Sequence, residues 1–191
     1  MRRLVIAVTG TPATGKTSFA NTVKNSVRGT DVIEINDIVN EQKLYSEVDK
    51  FNTRVVQLGR LRSAVQKKLK TSNGRAVILV GHLAPELGIR YDAAIVLRQG
   101  LMELAKRMEK RGYAKEKIRD NLIAEAVDYC GAKMEKWCAV VYEAETLKER
   151  RRAVSMIKQL LEGKHIKMEK REIDKVKDLL KLVNRGNEYG L

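Results

Sequence analysis

Two kinds of apolar run alternate along the 191-residue chain. Leu4-Val5-Ile6-Ala7-Val8 is continuous, rich in branched residues and stops at Thr9-Gly10, the pattern of a strand buried on both faces of a parallel sheet. From Lys16 the spacing changes: Phe19, Ala20, Val23 and Val27 fall on one helical stripe, which Gly29 closes. Val32 to Ile35 predicts a second strand, and Asn36-Asp37 can cap a helix running to about Tyr45. Leu58, Leu61, Val65 and Leu69 mark an amphipathic helix that Asn73-Gly74 ends, and Ala76–Val80 and Ala93–Leu97 read as further buried strands. Helices are expected over 101–110 and 115–129, a last strand over 140–142, and a packing helix over 148–161.

Strands alternating with helices predict an α/β fold in three layers, a parallel sheet with helices on both faces. The length suits one domain over 1–162. Residues 163–191 form a basic appendage, in which Ile173, Val176, Leu179, Leu180 and Val183 trace one more amphipathic helix, either docked on the core or reaching toward a partner. Apolar residues make up 43% and charged residues 32%, against a usual charged share of roughly 25%, and this composition excludes a disordered chain. The absence of any 18-residue apolar run excludes a membrane span, and the run after Met1-Arg2-Arg3 is too short for a signal sequence. Cys130 and Cys138 form no C-x-x-C pair and cannot complete a zinc set with the two histidines, so buried, reduced thiols in a cytoplasmic protein are expected. Trp137, Tyr129 and the six methionines read as packing residues.

Charge changes the picture. Lys and Arg number 38 against 24 acids, a formal +14, which favours a polyanionic partner. Between Arg54 and Arg75 there are seven basic residues and no acid, a surface that suits phosphates or is merely the solvated face of a helix.

The candidate chemistry lies between the first strand and the first helix. Gly10-Thr11-Pro12-Ala13-Thr14-Gly15-Lys16-Thr17 satisfies G-x-x-x-x-G-K-[ST] in the strand–loop–helix context that gives the motif meaning. Glycines let backbone N–H groups turn toward phosphate oxygens, and the helix N-terminus adds a favourable dipole. Lys16 can reach the β and γ phosphates of ATP, and the Thr17 hydroxyl can ligate Mg²⁺. No N-K-x-D sequence that would read guanine occurs. Arg107 and Arg111, four residues apart at a predicted helix end before Gly112-Tyr113, can project over a nucleotide from a short lid near 110–120. The segment 34–57 is where a site for a monophosphate acceptor would be inserted.

Taken in order, Gly10-Thr11-Pro12 with Gly15-Lys16-Thr17, Gly81-His82-Leu83, Val96-Leu97-Arg98, Arg107 to Tyr113, Lys117-Ile118, Asp120-Asn121 and Ala124-Glu125 resemble the adenylate-kinase-like ribosome-assembly ATPases, the archaeal members most of all. The resemblance runs from about Leu4 to Leu161. It implies a small P-loop nucleoside monophosphate kinase fold, ATP and Mg²⁺ as cofactors, and adenylate kinase and ATPase activities with AMP or a related monophosphate as acceptor. It also implies a role in late small-subunit ribosome maturation, with a platform ribosomal protein and ribosomal RNA as partners. By position, Gly15, Lys16, Thr17 and Ser18 would hold ATP phosphates, Arg111 would meet ATP from the lid, and His82 would belong to the motif ending the third strand. Three departures stand out. Val80 occupies the place of the acid that usually orients the Mg²⁺ shell, leaving Asp37 or Glu86 as substitutes. Gln57 stands where archaeal relatives tend to carry an acid. Ala13 replaces a glycine, which suits a backbone with negative φ.

Overall fold

The computed structural model describes residues 3–48, 54–164, 166, 175–184 and 189. Strand β1 (Leu4–Thr9) lies at the centre of a five-stranded sheet, between β5 (Ala76–Val80) and β6 (Ala93–Leu97), with β2 (Thr30–Glu34) and β7 (Val141–Ala144) at the edges. Every pairing in this sheet is parallel. All ten residues of β5 and β6 are buried, the reason these strands read as unbroken apolar runs.

Alternation along the strands sends their side chains to two cores. Ile6, Val8, Ile78 and Val80 point to the layer of α1 (Lys16–Ser26) and α7 (Leu147–Leu161), where Phe19, Ala20, Val23, Ala153 and Ile157 meet them. Ala7, Leu79 and Ala94 point the other way, toward α2 (Ile35–Glu41), α3 (Leu58–Thr71) and α6 (Tyr129–Met134). This is the three-layer α/β fold expected from the alternating pattern. A third cluster joins α4 (Leu101–Lys110) and α5 (Lys115–Ala126) to Ala13 of the loop after β1.

Several boundaries move for tertiary reasons. Ile35 begins α2 instead of ending β2, and α2 stops at Glu41. Lys43 then turns the chain with φ +48°, and Tyr45 enters β3 (Tyr45–Val48), which pairs antiparallel with β4 (Arg54–Val56). The helix expected over 115–129 breaks into α5 and α6 at Asp128, which sits at φ +53°. There its carboxylate accepts the Gly131 N–H at 3.2 Å and pairs with the buried Arg98 guanidinium. The last strand starts one residue late and runs to Ala144. Tyr129 and Met102 are exposed, unlike the packing role expected of them, whereas Met108, Met134 and Met156 are buried.

Of the two alternatives for the C-terminal helix, docking is observed. In α8 (Val176–Asn184) Leu182 is buried among Leu104, Met108, Leu122 and Ala13, although Ile173 lies outside the described residues. Lys175 just before it is 6% exposed and donates to the Gln99 carbonyl and the Glu145 carboxylate, both at 2.9 Å.

Candidate functional site

The loop between β1 and α1 closes over the C-terminal edge of the sheet. Gly10 has φ +133°, and a Cβ there would overlap the Leu97 carbonyl oxygen. Gly15 caps α1 at φ +92° without a side-chain partner, leaving the first helical N–H groups free for an anion. Ala13 is a correction: its φ is +70°, in the left-handed region, where a Cβ costs about 1 kcal/mol that glycine avoids. Its methyl group is buried in the α4–α5–α8 cluster.

A hollow of about 180 Å³ opens in front of the loop. Its walls include Pro12, Ala13, Gly15, Lys16, Thr17 and Ser18, with Glu34 from β2, Gly81 and His82 after β5, and Arg111 and Tyr113 after α4. Gly10, Thr11 and Thr14 form the inner side of the loop, with the Thr14 hydroxyl donating to the Thr11 carbonyl at 2.9 Å. Arg107 is not among the walls: it donates to Glu103 at 2.9 Å on the exposed side of α4. Glu34 and Asn36 line it although the sequence offered neither as a site residue, and Tyr113, part of the segment that carries the family resemblance, lines it too. A larger hollow of about 390 Å³ between α2 and α3 is lined by Gln42, Arg60, Ser63 and Lys67, but no phosphate loop faces it.

Lys16 folds back on its own loop, its Nζ donating to the Gly10 and Thr11 carbonyls at 2.9 Å each. Burial, reinforced by the Arg111 charge, pulls its pKa from 10.5 to about 8 against the opposing Cys130, Glu125 and Glu34. His82 is lowered from 6.5 to about 4, first by burial and then by Lys16 and Lys117, so its imidazole is neutral at pH 7. Glu34 moves the other way, raised by burial and by Asp37 against the influence of the Thr17 hydroxyl.

Behind the loop a polar network fixes it. Glu125 of α5 is 1% exposed and accepts the Thr11 hydroxyl at 2.6 Å and the Gln99 N–H at 3.2 Å. Arg98, equally buried, lies 3.2 Å from Glu125 and donates to its carbonyl at 2.7 Å. From α7, Arg150 donates to the Thr14 carbonyl at 3.0 Å. It belongs to the basic group Lys148–Arg152, distant from the loop in sequence and adjacent in space. Its only signal in the sequence was its charge.

Of the acids expected to replace the one missing at Val80, Glu86 is already engaged, by Lys133 at 2.6 Å and Tyr129 at 2.8 Å, and Asp37 is exposed on α2. Gln57 accepts from Arg60 at 2.9 Å at the start of α3. No cluster of three or more His, Cys, Asp or Glu able to hold a metal exists among the described residues. A hard dication that keeps most of its water needs fewer protein donors. The Thr17 hydroxyl and a carboxylate oxygen buried without a hydrogen-bond partner, Oε1 of Glu34, fit that demand. Both cysteines are free and buried, and no described helix is long and apolar enough to cross a membrane.

A glycine loop wound around a helix N-terminus, on a parallel sheet of order β2-β5-β1-β6-β7, defines a P-loop protein of the α/β class. A family profile described as an AAA domain matches residues 6–128, more than half of the chain. A Methanosarcina acetivorans protein is 38% identical over 148 residues, covering 75% of this chain and 77% of its own length. A Methanocaldococcus jannaschii protein is 33% identical over 174 residues, covering 88% and 91%. Both bear the name "Putative adenylate kinase". The chain belongs to this AAA-domain family of P-loop proteins, alongside these archaeal relatives. Among solved structures, TT1252 from Thermus thermophilus has a TM-score of 0.58 at 18% identity, covering 86% of this chain and 100% of that one. A shikimate kinase from Bacteroides thetaiotaomicron has a TM-score of 0.54 at 17% identity, covering 83% and 98%. At these identities the likeness is one of fold.

Proposed function

We propose that the chain is an ATP-dependent nucleoside monophosphate kinase of the adenylate kinase type. It moves the γ-phosphoryl group of ATP to AMP to give two ADP, and hydrolyses ATP when water takes the acceptor's place. The observation that carries this reading is the convergence of Lys16, Thr17, His82 and Arg111 on one hollow in front of the phosphate loop. The names borne by its archaeal relatives support AMP as the acceptor.

ATP phosphates entering the hollow draw the Lys16 ammonium off the Gly10 and Thr11 carbonyls and meet the N–H groups at the start of α1. With a pKa near 8, Lys16 is mostly protonated at pH 7 and supplies positive charge where phosphate charge accumulates. Arg111, entering from the turn after α4, adds a second cation. An oxygen of the acceptor phosphate forms the new P–O bond as the bond between the γ-phosphorus and its bridging oxygen breaks, and ADP leaves with the electron pair. His82, neutral, offers a hydrogen bond without adding charge. The Thr17 hydroxyl would help hold Mg²⁺, which would supply positive charge to offset that of the ATP phosphates.

We extend the reading to late small-subunit ribosome maturation, in which nucleotide occupancy governs contact with a platform ribosomal protein and ribosomal RNA. The family resemblance supports it, as do Arg60, Arg62, Lys67, Lys68 and Lys70, all exposed around the solvent side of α3. That basic side, together with the apolar Val80, favours a second reading: a nucleotide-gated assembly factor with little kinase activity.

Measuring ADP formed from ATP with and without AMP separates the two. AMP-dependent ADP production is expected. Slow hydrolysis indifferent to AMP, with RNA binding that falls steeply as salt rises, establishes the assembly factor instead.

A further inference from the structure

The resemblance to nucleotide kinases calls for an acid at position 80, and the chain has valine there. Val80 is 1% exposed and packs beneath α1 with Val8 and Phe19, so it offers no donor. One strand over, Glu34 is the Cα partner of Val80 in the β2–β5 register. The two side chains share a face of the sheet: Val32 packs into the same core as Val80, and Ile33 into the opposite one. Neighbouring strands are separated by about 4.8 Å, and glutamate is one methylene longer than aspartate, so a carboxylate rooted on β2 reaches toward the region an acid on β5 would serve.

Four observations converge on Glu34. It is the sole acid among the described residues that line the phosphate hollow. Its carboxylate lies against the Thr17 hydroxyl. Its Oε1 is buried with no hydrogen-bond partner, an arrangement that costs free energy unless a donor or cation arrives. Of the competing acids, Glu86 is engaged by Lys133 and Tyr129, and Asp37, near enough for its charge to act on Glu34, is exposed on α2 and does not line the hollow.

We propose that Glu34 orients the Mg²⁺ shell of the bound nucleotide, performing from the neighbouring strand the task of the acid missing at Val80. The proposal rests on the phosphate hollow being an ATP site. Glu34 is a positioning residue that acts on the metal and its waters, with Thr17 beside it, and the γ-phosphoryl group is held by other side chains. Magnesium sites of this kind use one or two carboxylates together with substrate phosphates and water.

The test uses the full chain, ADP, and Mn²⁺ as a paramagnetic substitute for Mg²⁺. ADP affinity is measured by calorimetry in EDTA, and Mn²⁺ affinity of the protein–ADP complex by the electron paramagnetic resonance signal of free Mn²⁺. Glu34→Gln, nearly isosteric, is expected to leave metal-free ADP binding within about twofold and to weaken Mn²⁺ binding by about tenfold or more. Glu34→Asp keeps a carboxylate and should bind Mn²⁺ more tightly than Glu34→Gln. Moving the carboxylate, as Glu34→Val combined with Val80→Glu, should recover part of the Mn²⁺ affinity lost in Glu34→Val alone. Unchanged Mn²⁺ affinity in Glu34→Gln overturns the proposal. An equal loss of metal-free ADP binding also overturns it, because Glu34 would then act through Lys16. If the unsubstituted chain binds no ADP in EDTA or with metal, the ATP-site reading fails and takes the proposal with it.

Discussion

The two sides of the phosphate loop differ in how their charges are paired. Behind it, Glu125 alone receives the Thr11 hydroxyl, the Gln99 N–H and the charges of Arg98 and Lys175, all within 3.5 Å. In front of it, Lys16 is held only by carbonyls of its own loop, Glu34 keeps a buried oxygen without a partner, and His82 is held neutral. The rear network fixes the shape of the loop. The front groups are desolvated and incompletely paired, the condition in which a polyanion gains most by arriving. Nε of Arg98 and of Arg150 behind the loop also lacks a hydrogen-bond partner, so the two sides differ in how many opposite charges face each charged group and not in whether every polar atom is satisfied.

Substitutions on either side sharpen this contrast. The largest effect is expected behind the loop: Glu125→Ala leaves buried Arg98 with Asp128 and Lys175 with Glu145 as their remaining close carboxylates and takes the acceptor from the Thr11 hydroxyl, a change that costs about 3 kcal/mol. Thermal unfolding should move down by roughly 10 °C for a chain of this size, and a shift under about 2 °C would show that the network contributes little. In front, Lys16→Ala should lower ATP turnover by about a hundredfold or more, the loss typical of a deleted transition-state charge partner. Because this lysine is charged at a site where burial disfavours the charge, its removal should leave the unfolding temperature unchanged or raised. A parallel loss of stability and turnover would erase the distinction between the two sides.

A pH titration gives the smallest expected effect. The folded-state pKa of His82, about 4, lies below its usual 6.5, so the unfolded chain binds the extra proton first. Its contribution is constant above pH 6.5 and is lost as pH falls from 6.5 to 4, by at most about 3 kcal/mol. His82→Asn should remove that part of the slope. If stability curves of the two proteins run parallel through this window, the imidazole is not desolvated as its surroundings indicate.

Much of the sheet was legible in the chain. Ala76–Val80 and Ala93–Leu97 read as strands because a strand buried on both faces must be apolar at every position. The phosphate loop was legible because its glycines and lysine are adjacent in sequence. Local patterns failed where a distant partner decided the backbone. Tyr45 continues a helical reading until pairing with β4 claims it, and Asp128 sits in mid-helix until buried Arg98 draws its carboxylate inward. Ala13 was expected at negative φ and adopts +70°, because the loop must wind around the start of α1 whatever residue stands there.

The site divides in the same way. Lys16 and Thr17, candidates by motif, His82, a candidate by resemblance, and Arg111, a candidate by its place at a helix end, line the hollow, while Arg107, equally plausible by spacing, pairs with Glu103 and is not among its walls. Glu34 and Arg150 carried no signal beyond their charge, since their significance lies in neighbours 17 and 136 residues away, Thr17 and Thr14.

By itself, then, the sequence determined the alternation of strands and helices, the phosphate loop and the basic surplus, all properties of residues near one another along the chain. Tertiary structure alone decided which charges are spent within the fold and which face the hollow. Side-chain pairing depends on register between strands and on the packing of helices, and neither is written in local periodicity.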